Sequence, residues 1–167
     1  MKAIYSIILL FCFNFSQAQI GIGIQDVRGA SILDFGKNQI NGIVLPYNET
    51  TNNAVNGTIR VDKTTNKVQY YNGFNWIDLT DSGQIPANMY INNNDEVADT
   101  QGVVISDTGD AQAPGVLVLE STNKALTLPH IDNPHLTIVD PPIGMMCYDT
   151  VSKTIAIFNG LEWYFYK

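Results

Sequence analysis

The 167-residue sequence is poor in the residue types that carry most catalysis and metal binding. It contains two cysteines and two histidines, and no C-x-x-C, H-E-x-x-H or G-x-S-x-G arrangement. Those spacings are typical of zinc sites and of nucleophilic serines, so their absence removes the usual grounds for either assignment. We therefore predict a protein that is not an enzyme, with no cofactor and no catalytic or metal-ligating residue.

Basic residues are also scarce. Nine lysines and arginines stand against sixteen acidic residues, which gives a formal net charge of −7. An acidic chain is repelled by phosphate backbones and by anionic lipid head groups. The composition argues against a nucleic-acid partner.

The chain has no apolar run long enough to cross a bilayer, which takes about 20 residues. Residues 7–13 form an apolar run of seven, preceded by Lys2 and followed by the small residues of Ser16-Gln17-Ala18. This is the pattern of a secretory signal peptide over residues 1–18, cleaved after Ala18. We predict export to the periplasm, the outer surface or the medium, without membrane insertion once the signal is removed.

The exported chain keeps one cysteine, Cys147. A single thiol cannot form an intramolecular disulfide, whatever the compartment. Because Cys147 lies within the apolar stretch MMCY, we expect it to be a small buried hydrophobic side chain.

The most conspicuous feature of the sequence is an internal repeat. Residues 57–76 read GTIRVDKTTNKVQYYNGFNW, and residues 144–163 read GMMCYDTVSKTIAIFNGLEW. Upstream blocks match more loosely, for example GASILD with GVLVLE and IVLP with LTLP. An internal repeat sets the architecture of a chain. We predict a first β repeat unit over 19–79, an acidic, polar linker over 80–112, and a second β repeat unit over 113–167.

Alternating apolar and polar residues within each copy predict a three-stranded β-meander. In the first copy the strands are expected at 58–62, 67–71 and 74–79, with Asn72-Gly73 forming a type I′ hairpin turn. No segment after the signal peptide shows a helical period. The predicted fold class is all-β, with two related small β-meander units, extended strands and a loop-rich linker. We expect Trp76 and Trp163 at the covered centres, because each has the largest apolar area in its copy.

Aromatic side chains offer the best candidates for binding. Neighbouring residues of a strand point to opposite faces, so some aromatic rings must lie outside the core or against a partner. They could contact a glycan or a surface protein; alternatively, packing between the copies or self-association into a dimer or trimer could cover them. The candidate contact residues are Tyr71, Phe74, Trp76, Phe158, Trp163, Tyr164 and Tyr166.

Other polar residues favour simpler roles. His130 and His135 are expected in a loop, and Asp62 and Asp149 are expected to accept hydrogen bonds from turn N–H groups. Acidic residues of the linker lack the spacing of a calcium loop, which leaves a solvated linker as the simpler interpretation and calcium binding as an open alternative. These linker acids are Asp95, Glu96, Asp99, Asp107 and Asp110.

The same elements resemble a family of secreted proteins from Bacteroidetes-type bacteria. These proteins carry a GIGT-like start, an LD element, an LLP element and a YDT…YNGxxW element. Here the corresponding residues are 21–24, Leu33-Asp34, 44–46 and the two copies at 57–76 and 144–163. Related segments occur in adhesin-like and tail-fibre-like surface proteins.

The resemblance implies a cell-surface or secreted binding or structural protein, similar to an adhesin or a tail-fibre head. It also implies a possible O-glycosylation site, because Asp149-Thr150-Val151 fits the short pattern on which such bacteria place glycans at Thr150. The alternative function is a small extracellular hydrolase acting on glycans, since the separation of two carboxylates cannot be read from sequence.

Overall fold

The computed structural model describes residues 19–36, 40–49, 53–85, 102–106 and 115–167. The predicted signal peptide lies outside these residues. Within them the chain forms fourteen β-strands and one helix of four residues, so the all-β prediction is confirmed. In this part of the chain, no helix is long and apolar enough to span a membrane.

Seven strands precede the undescribed stretch 86–101 and seven follow it. We call the first set the first unit; it comprises β1 (Ile20–Ile22), β2 (Ser31–Phe35), β3 (Ile43–Val44), β4 (Tyr47–Asn48), β5 (Ile59–Asp62), β6 (Lys67–Tyr71) and β7 (Trp76–Asp78). The second unit comprises β8 (Val103–Ser106), β9 (Leu117–Glu120), β10 (Ala125–Leu126), β11 (His130–Ile131), β12 (Met145–Asp149), β13 (Thr154–Phe158) and β14 (Trp163–Tyr166), with helix α1 (Pro134–Thr137) between β11 and β12.

The last four strands of each unit form a sheet of the same design. A short strand, β4 or β11, runs parallel to the first strand of an antiparallel meander, β5-β6-β7 or β12-β13-β14. Every aligned pair in the first meander recurs 87 positions later in the second; Tyr71 opposite Trp76, for example, becomes Phe158 opposite Trp163. Identical registers place equivalent residues on equivalent faces, because side chains alternate along a strand.

The first turn of each meander is fixed by an aspartate. The Asp62 carboxylate accepts hydrogen bonds from the backbone N–H of Thr65 at 3.1 Å and from its hydroxyl at 2.6 Å. The Asp149 carboxylate accepts from the Val151 N–H at 3.0 Å and from the Ser152 hydroxyl at 2.6 Å. The predicted role of both aspartates as turn acceptors is confirmed.

The second turn differs from the predicted type I′ hairpin. Only Gly73 has a positive φ, of 95°, whereas type I′ requires one at Asn72 as well. The Asn72 side-chain oxygen instead accepts hydrogen bonds from the N–H groups of Phe74 and Asn75, at 2.9 and 2.8 Å. This turn holds Phe74 outside the strand, and β7 therefore begins at Trp76, two residues later than predicted.

Each unit also has a parallel strand pair at its start. β1 pairs with β2, and β8, which lies within the stretch predicted as linker, pairs with β9 of the predicted second repeat unit. The end of β2 is anchored by Asp34, whose carboxylate accepts two hydrogen bonds from the Arg28 guanidinium at 2.6 and 2.9 Å. These bonds outweigh burial and lower the pKa of Asp34 to about 2.

Two strand pairings join the units into a repeat-like stack. β10 adds to β2 in parallel, and β3 adds to β12 antiparallel. The apolar faces of both meanders contribute to one core cluster. Its buried members are Leu45, Val61, Val68, Ile143 and Ile157.

The tryptophans do not form the centres of this core. Val61 and Val68 occupy the centre of the first meander with no exposed surface, while Trp76 lies on the opposite face and is half-buried. Trp163 is likewise half-buried and packs against a separate cluster. The prediction of tryptophan-centred cores is wrong because strand alternation places Val61 and Val68 on the core face and Trp76 on the opposite face.

Candidate binding surface

The face of the first meander that points away from the core carries polar and aromatic side chains. Arg60, Gln69 and Asp78 lie side by side across β5, β6 and β7, and Tyr71 lies opposite Trp76. We call these five residues the Arg60 face. They share one side of the sheet because the apolar residues between them, such as Val61 and Val68, point into the core.

Arg60 stacks on Trp76. The guanidinium carbon lies 4.2 Å from the centre of the indole ring, a distance typical of a cation–π contact. The Tyr71 ring also packs against Trp76, with the two ring centres 5.4 Å apart and the ring planes tilted by 52°. The three side chains form one continuous surface of two rings and a charged plane.

Polar contacts fix the Arg60 guanidinium. It donates to the Asn48 side-chain oxygen at 3.3 Å, to the Glu49 carbonyl at 3.1 Å and to the Gln69 side-chain oxygen at 3.3 Å. The Asp62 carboxylate lies 3.5 Å away. Arg60 is thereby buried in a defined orientation, which keeps the indole ring under it in place.

Two ionic side chains form the rim of this face. Asp78 accepts hydrogen bonds from Lys67 at 2.6 Å and from the Gln69 amide at 2.8 Å. These bonds lower the pKa of Asp78, and the Asp78 partner raises the pKa of Lys67. The rim therefore stays charged at neutral pH.

Phe74 lies in the β6–β7 loop, two residues before Trp76. Its side chain is 86% exposed, which is unusual for a phenylalanine. The structure thus brings together Tyr71 and Trp76 among the predicted contact residues, and places Phe74 two positions before Trp76 on the adjoining loop.

The same face of the second meander is built differently. Cys147, Ala156 and Phe165 stand where the first meander has Arg60, Gln69 and Asp78. Cys147 and Ala156 are fully buried in a cluster with Ile131, against which Ile138 and Trp163 pack. Burial, with a smaller contribution from Asp149, raises the pKa of the Cys147 thiol to about 12, which confirms its predicted character as a buried apolar side chain.

A longer connection supplies the cover in the second unit. Eighteen positions separate the paired residues Ile131 and Asp149, against fourteen between Asn48 and Asp62 in the first unit. The extra length includes the four-residue helix α1, whose His135 contacts the edge of Phe165 at 5.7 Å. Ile138, just after α1, packs on the Cys147 cluster.

The remaining predicted contact residues do not form a single surface. Phe158 is buried and packs against Trp163 at 5.3 Å. Tyr164 lies on the opposite side of β14 and donates its hydroxyl to Glu162 at 3.0 Å. Tyr166 packs against the shared core. Strand alternation therefore separates these rings into two groups.

Other predicted positions have local structural partners. His130, in β11, packs against Tyr148 at 5.2 Å. Thr150 lies in the turn after β12, and its hydroxyl donates to the Asp132 carboxylate. Burial opposes ionisation of Asp149, but hydrogen bonds from Ser152, Val151 and Asn133 outweigh it and lower the pKa of this carboxyl.

The linker acids Asp95, Glu96, Asp99, Asp107 and Asp110 lie outside the described residues. Within the ranges described, no group of three or more histidine, cysteine, aspartate or glutamate side chains is placed to hold a metal ion.

Sequence reasoning missed Arg60 and Gln69 as parts of the site. The available signal was the mismatch between the copies, in which Arg60 and Gln69 align with the apolar Cys147 and Ala156. When one copy has charged or polar residues at strand positions where the other has small apolar ones, the two faces are expected to have different surroundings.

No protein-family model, curated protein or solved structure matches this chain. The Arg60 face is therefore interpreted from its own geometry.

Proposed function

We propose that this chain is an exported, non-enzymatic binding or structural protein of the cell surface or the surrounding medium, of the adhesin or tail-fibre-head type. The Arg60 face is its contact surface, and a glycan is the ligand that this face suits best. The two units arise from an internal repeat, of which the first has kept a polar, aromatic face for recognition. The acidic composition and the resemblance to Bacteroidetes-type secreted proteins support this assignment.

One observation carries the proposal. The Arg60 face combines two partly exposed aromatic rings, held in place by the buried Arg60 guanidinium, with the Gln69 amide and the Asp78 carboxylate, while the equivalent face of the second unit is apolar and covered. Sugar rings present C–H patches between hydroxyl groups, so they suit a surface with both aromatic and hydrogen-bonding groups. Pre-ordered groups also lose little conformational entropy on binding.

Glycan-array screening of the mature chain, followed by titration of its tryptophan fluorescence, tests the proposal. In a Trp163→Phe background the emission reports on Trp76 alone. We expect a bound glycan to shift this emission, and to leave the Trp163 emission unchanged in the matched Trp76→Phe background, where Trp163 is the remaining tryptophan. A ligand that changes the emission of Trp163 and leaves that of Trp76 unaltered would place binding on the other unit.

Matched loop-tip variants give the sharpest control. Phe74 and Leu161 occupy equivalent positions, and both are exposed, at 86% and 59%. We expect Phe74→Ala to weaken glycan binding about tenfold, the loss typical of about 1.4 kcal/mol, and Leu161→Ala to leave it unchanged. Equal effects of the two substitutions would contradict the assignment of binding to the first unit. If only proteins bind, the surface remains a contact site but its ligand class is wrong.

Export and modification are separate parts of the proposal. Intact-mass measurement on protein recovered from the periplasmic, outer-membrane and medium fractions should show a chain that begins at Gln19. A mass excess that disappears in Thr150→Ala would identify the O-glycan. Recovery of the unprocessed chain from the cytoplasm would overturn the export prediction.

A further inference from the structure

The pairing of β10 with β2 shows how one unit accepts a strand of the next. Ala125 donates its backbone N–H to the Ala30 carbonyl at 2.9 Å, and Thr127 donates to the Leu33 carbonyl at 3.1 Å. β10 thus adds to β2 in parallel and continues the sheet from the first unit into the second.

β9 stands in the second unit where β2 stands in the first. β8 occupies one edge of β9, and no described strand pairs with its other edge. The Val103 N–H donates to the Val116 carbonyl at 2.8 Å, so even-numbered residues of β9 face β8. Because backbone groups alternate along a strand, the carbonyls of Leu117 and Leu119 face the other edge. Leu119 is the counterpart of Leu33, the acceptor that Thr127 uses.

β3 stands in the first unit where β10 stands in the second, and it presents the matching donor. Leu45 donates to the Gly144 carbonyl at 3.1 Å, which turns the odd-numbered residues of this strand towards β12. The Val44 N–H therefore points to the opposite edge. Val44 is the counterpart of Thr127.

Side-chain exposure at the two edges agrees with a missing neighbour. Ser31, in β2, is 2% exposed, whereas its counterpart Leu117 is 43% exposed. Val116 beside it is also exposed, and so is Val44 at 49%. Unpaired strand edges flanked by apolar side chains readily pair with another chain.

We propose that β9 of one copy accepts β3 of a second copy in parallel, with the Val44 N–H donating to the Leu119 carbonyl. The contact repeats between chains the pairing that β10 makes with β2 within one chain. It is head-to-tail, so each copy keeps a donor edge and an acceptor edge and the assembly grows beyond a dimer. This inference does not depend on the Arg60 face.

The contact should be weaker than the one within the chain. Ile143, which is buried in the shared core, has Asn56 as its counterpart in the first unit, and Asn56 is exposed. At the contact between copies, the exposed Asn56 amide would therefore take the place that the apolar side chain of Ile143 has within the chain. We expect association at high protein concentration, and tighter association when Asn56 is replaced by isoleucine.

Analytical ultracentrifugation of the mature chain over a wide concentration range tests the proposal. We expect the weight-average mass of the wild type to rise past that of a dimer. Val44→Pro removes the outward N–H while leaving the pairing of Ile43 and Leu45 with β12, so it should give a folded monomer. The matched substitution Thr127→Pro removes a bond inside the chain and should lower the melting temperature instead.

Three further variants complete the design. Leu117→Lys should abolish association, Asn56→Ile should shift it to lower concentration, and Trp76→Ala should leave it unchanged. A wild type that stays monomeric at all concentrations overturns the proposal. So does a closed dimer, or association that survives both Val44→Pro and Leu117→Lys. Loss of glycan binding in Trp76→Ala with intact association would separate this contact from the proposed binding surface.

Discussion

The Arg60 face of the first meander and the face of the second meander that carries Cys147, Ala156 and Phe165 occupy the same position on two sheets with the same register. In the first, a guanidinium is held by polar groups and stacked on an indole; in the second, a thiol is buried in an apolar cluster under a longer connection. The register is held by the aspartate turns and by the core on the opposite side of each sheet. Residues facing away from that core were therefore free to diverge without altering the strands.

Exchanging the central residues should break this comparison most severely. Cys147→Arg places a guanidinium in a buried apolar cluster, where Asp149 already accepts hydrogen bonds from Val151 and Ser152, and we expect a loss of about 3–5 kcal/mol in the free energy of unfolding. Urea denaturation measures the change. The reverse substitution, Arg60→Cys, removes a buried guanidinium, but it should cost less because Gln69, Trp76 and Asp78 around it are partly exposed and can be hydrated. Equal losses would show that both faces are covered to the same extent.

The tryptophans provide a second contrast. Trp163 packs on buried apolar neighbours, so Trp163→Ala should lower the free energy of unfolding by about 3 kcal/mol. Trp76→Ala exposes part of a polar face and should cost about 2 kcal/mol, mostly through the lost contacts with Arg60 and Tyr71. Denaturation followed by circular dichroism, which does not need the indoles as reporters, distinguishes the two. A larger loss in the free energy of unfolding for Trp76→Ala than for Trp163→Ala would contradict the conclusion that the covered, apolar face belongs to the second unit.

Asp34, near the end of β2, and its counterpart Glu120, at the end of β9, test whether a carboxylate at this position stabilises one unit more than the other. Asp34 is fully buried and paired with the half-buried Arg28, and its pKa lies at about 2, below the ordinary value of 3.8. A lowered folded pKa gives stability that is present above pH of about 4 and lost as the pH falls towards 2. Asp34→Asn should remove about 2 kcal/mol at neutral pH and flatten the acid limb of the stability profile.

Glu120, the counterpart of Asp34, is half-buried and serves as its control. Glu120→Gln should leave the free energy of unfolding within about 0.5 kcal/mol of the wild type, as for substitutions without a strong partner. An acid limb that is unchanged in Asp34→Asn would show that the Arg28 pair does not govern acid stability.

The smallest effect is expected at the rim of the Arg60 face. Lys67→Met removes an exposed partner of Asp78, and exposed ion pairs are worth about 1 kcal/mol or less. The pKa of Asp78 should rise towards its ordinary value, which NMR titration of the carboxyl carbon detects. At the counterpart position Thr154 the second unit has no such ion pair, because Phe165 stands in place of Asp78. An unmoved Asp78 would contradict the 2.6 Å contact.

Periodicity and turn residues were sufficient to predict the all-β class and the aspartate turns. Val68 lies between the polar residues Lys67 and Gln69, and Asp62 and Asp149 precede polar residues at the same spacing. These features act over a few residues, so sequence alone exposes them. The β6–β7 turn could not be predicted because the choice between type I′ and the observed loop depends on whether the Asn72 side chain accepts neighbouring N–H groups.

The candidate site was only partly predictable. Tyr71, Phe74 and Trp76 were identified by type, but the stack of Arg60 on Trp76 depends on the register of three strands. The sequence predicts that the seven aromatic candidates are divided between opposite strand faces, but it does not show which of those faces are covered. The structure separates Phe158 and Tyr166, because burial depends on which connection crosses each face and on how the units stack.

The four extra residues around α1 suggest a route to engineering the molecule. Surface connections accept changes of length at little thermodynamic cost, since closure entropy grows only with the logarithm of loop size. Grafting residues 132–143 between Asn48 and Gly57 should cover the Arg60 face of the first sheet, provided that Arg60 and Gln69 are changed to cysteine and alanine. Shortening the β11–β12 connection, with the opposite exchange, should uncover the equivalent face of the second sheet, so that one molecule would carry two copies of the proposed binding surface.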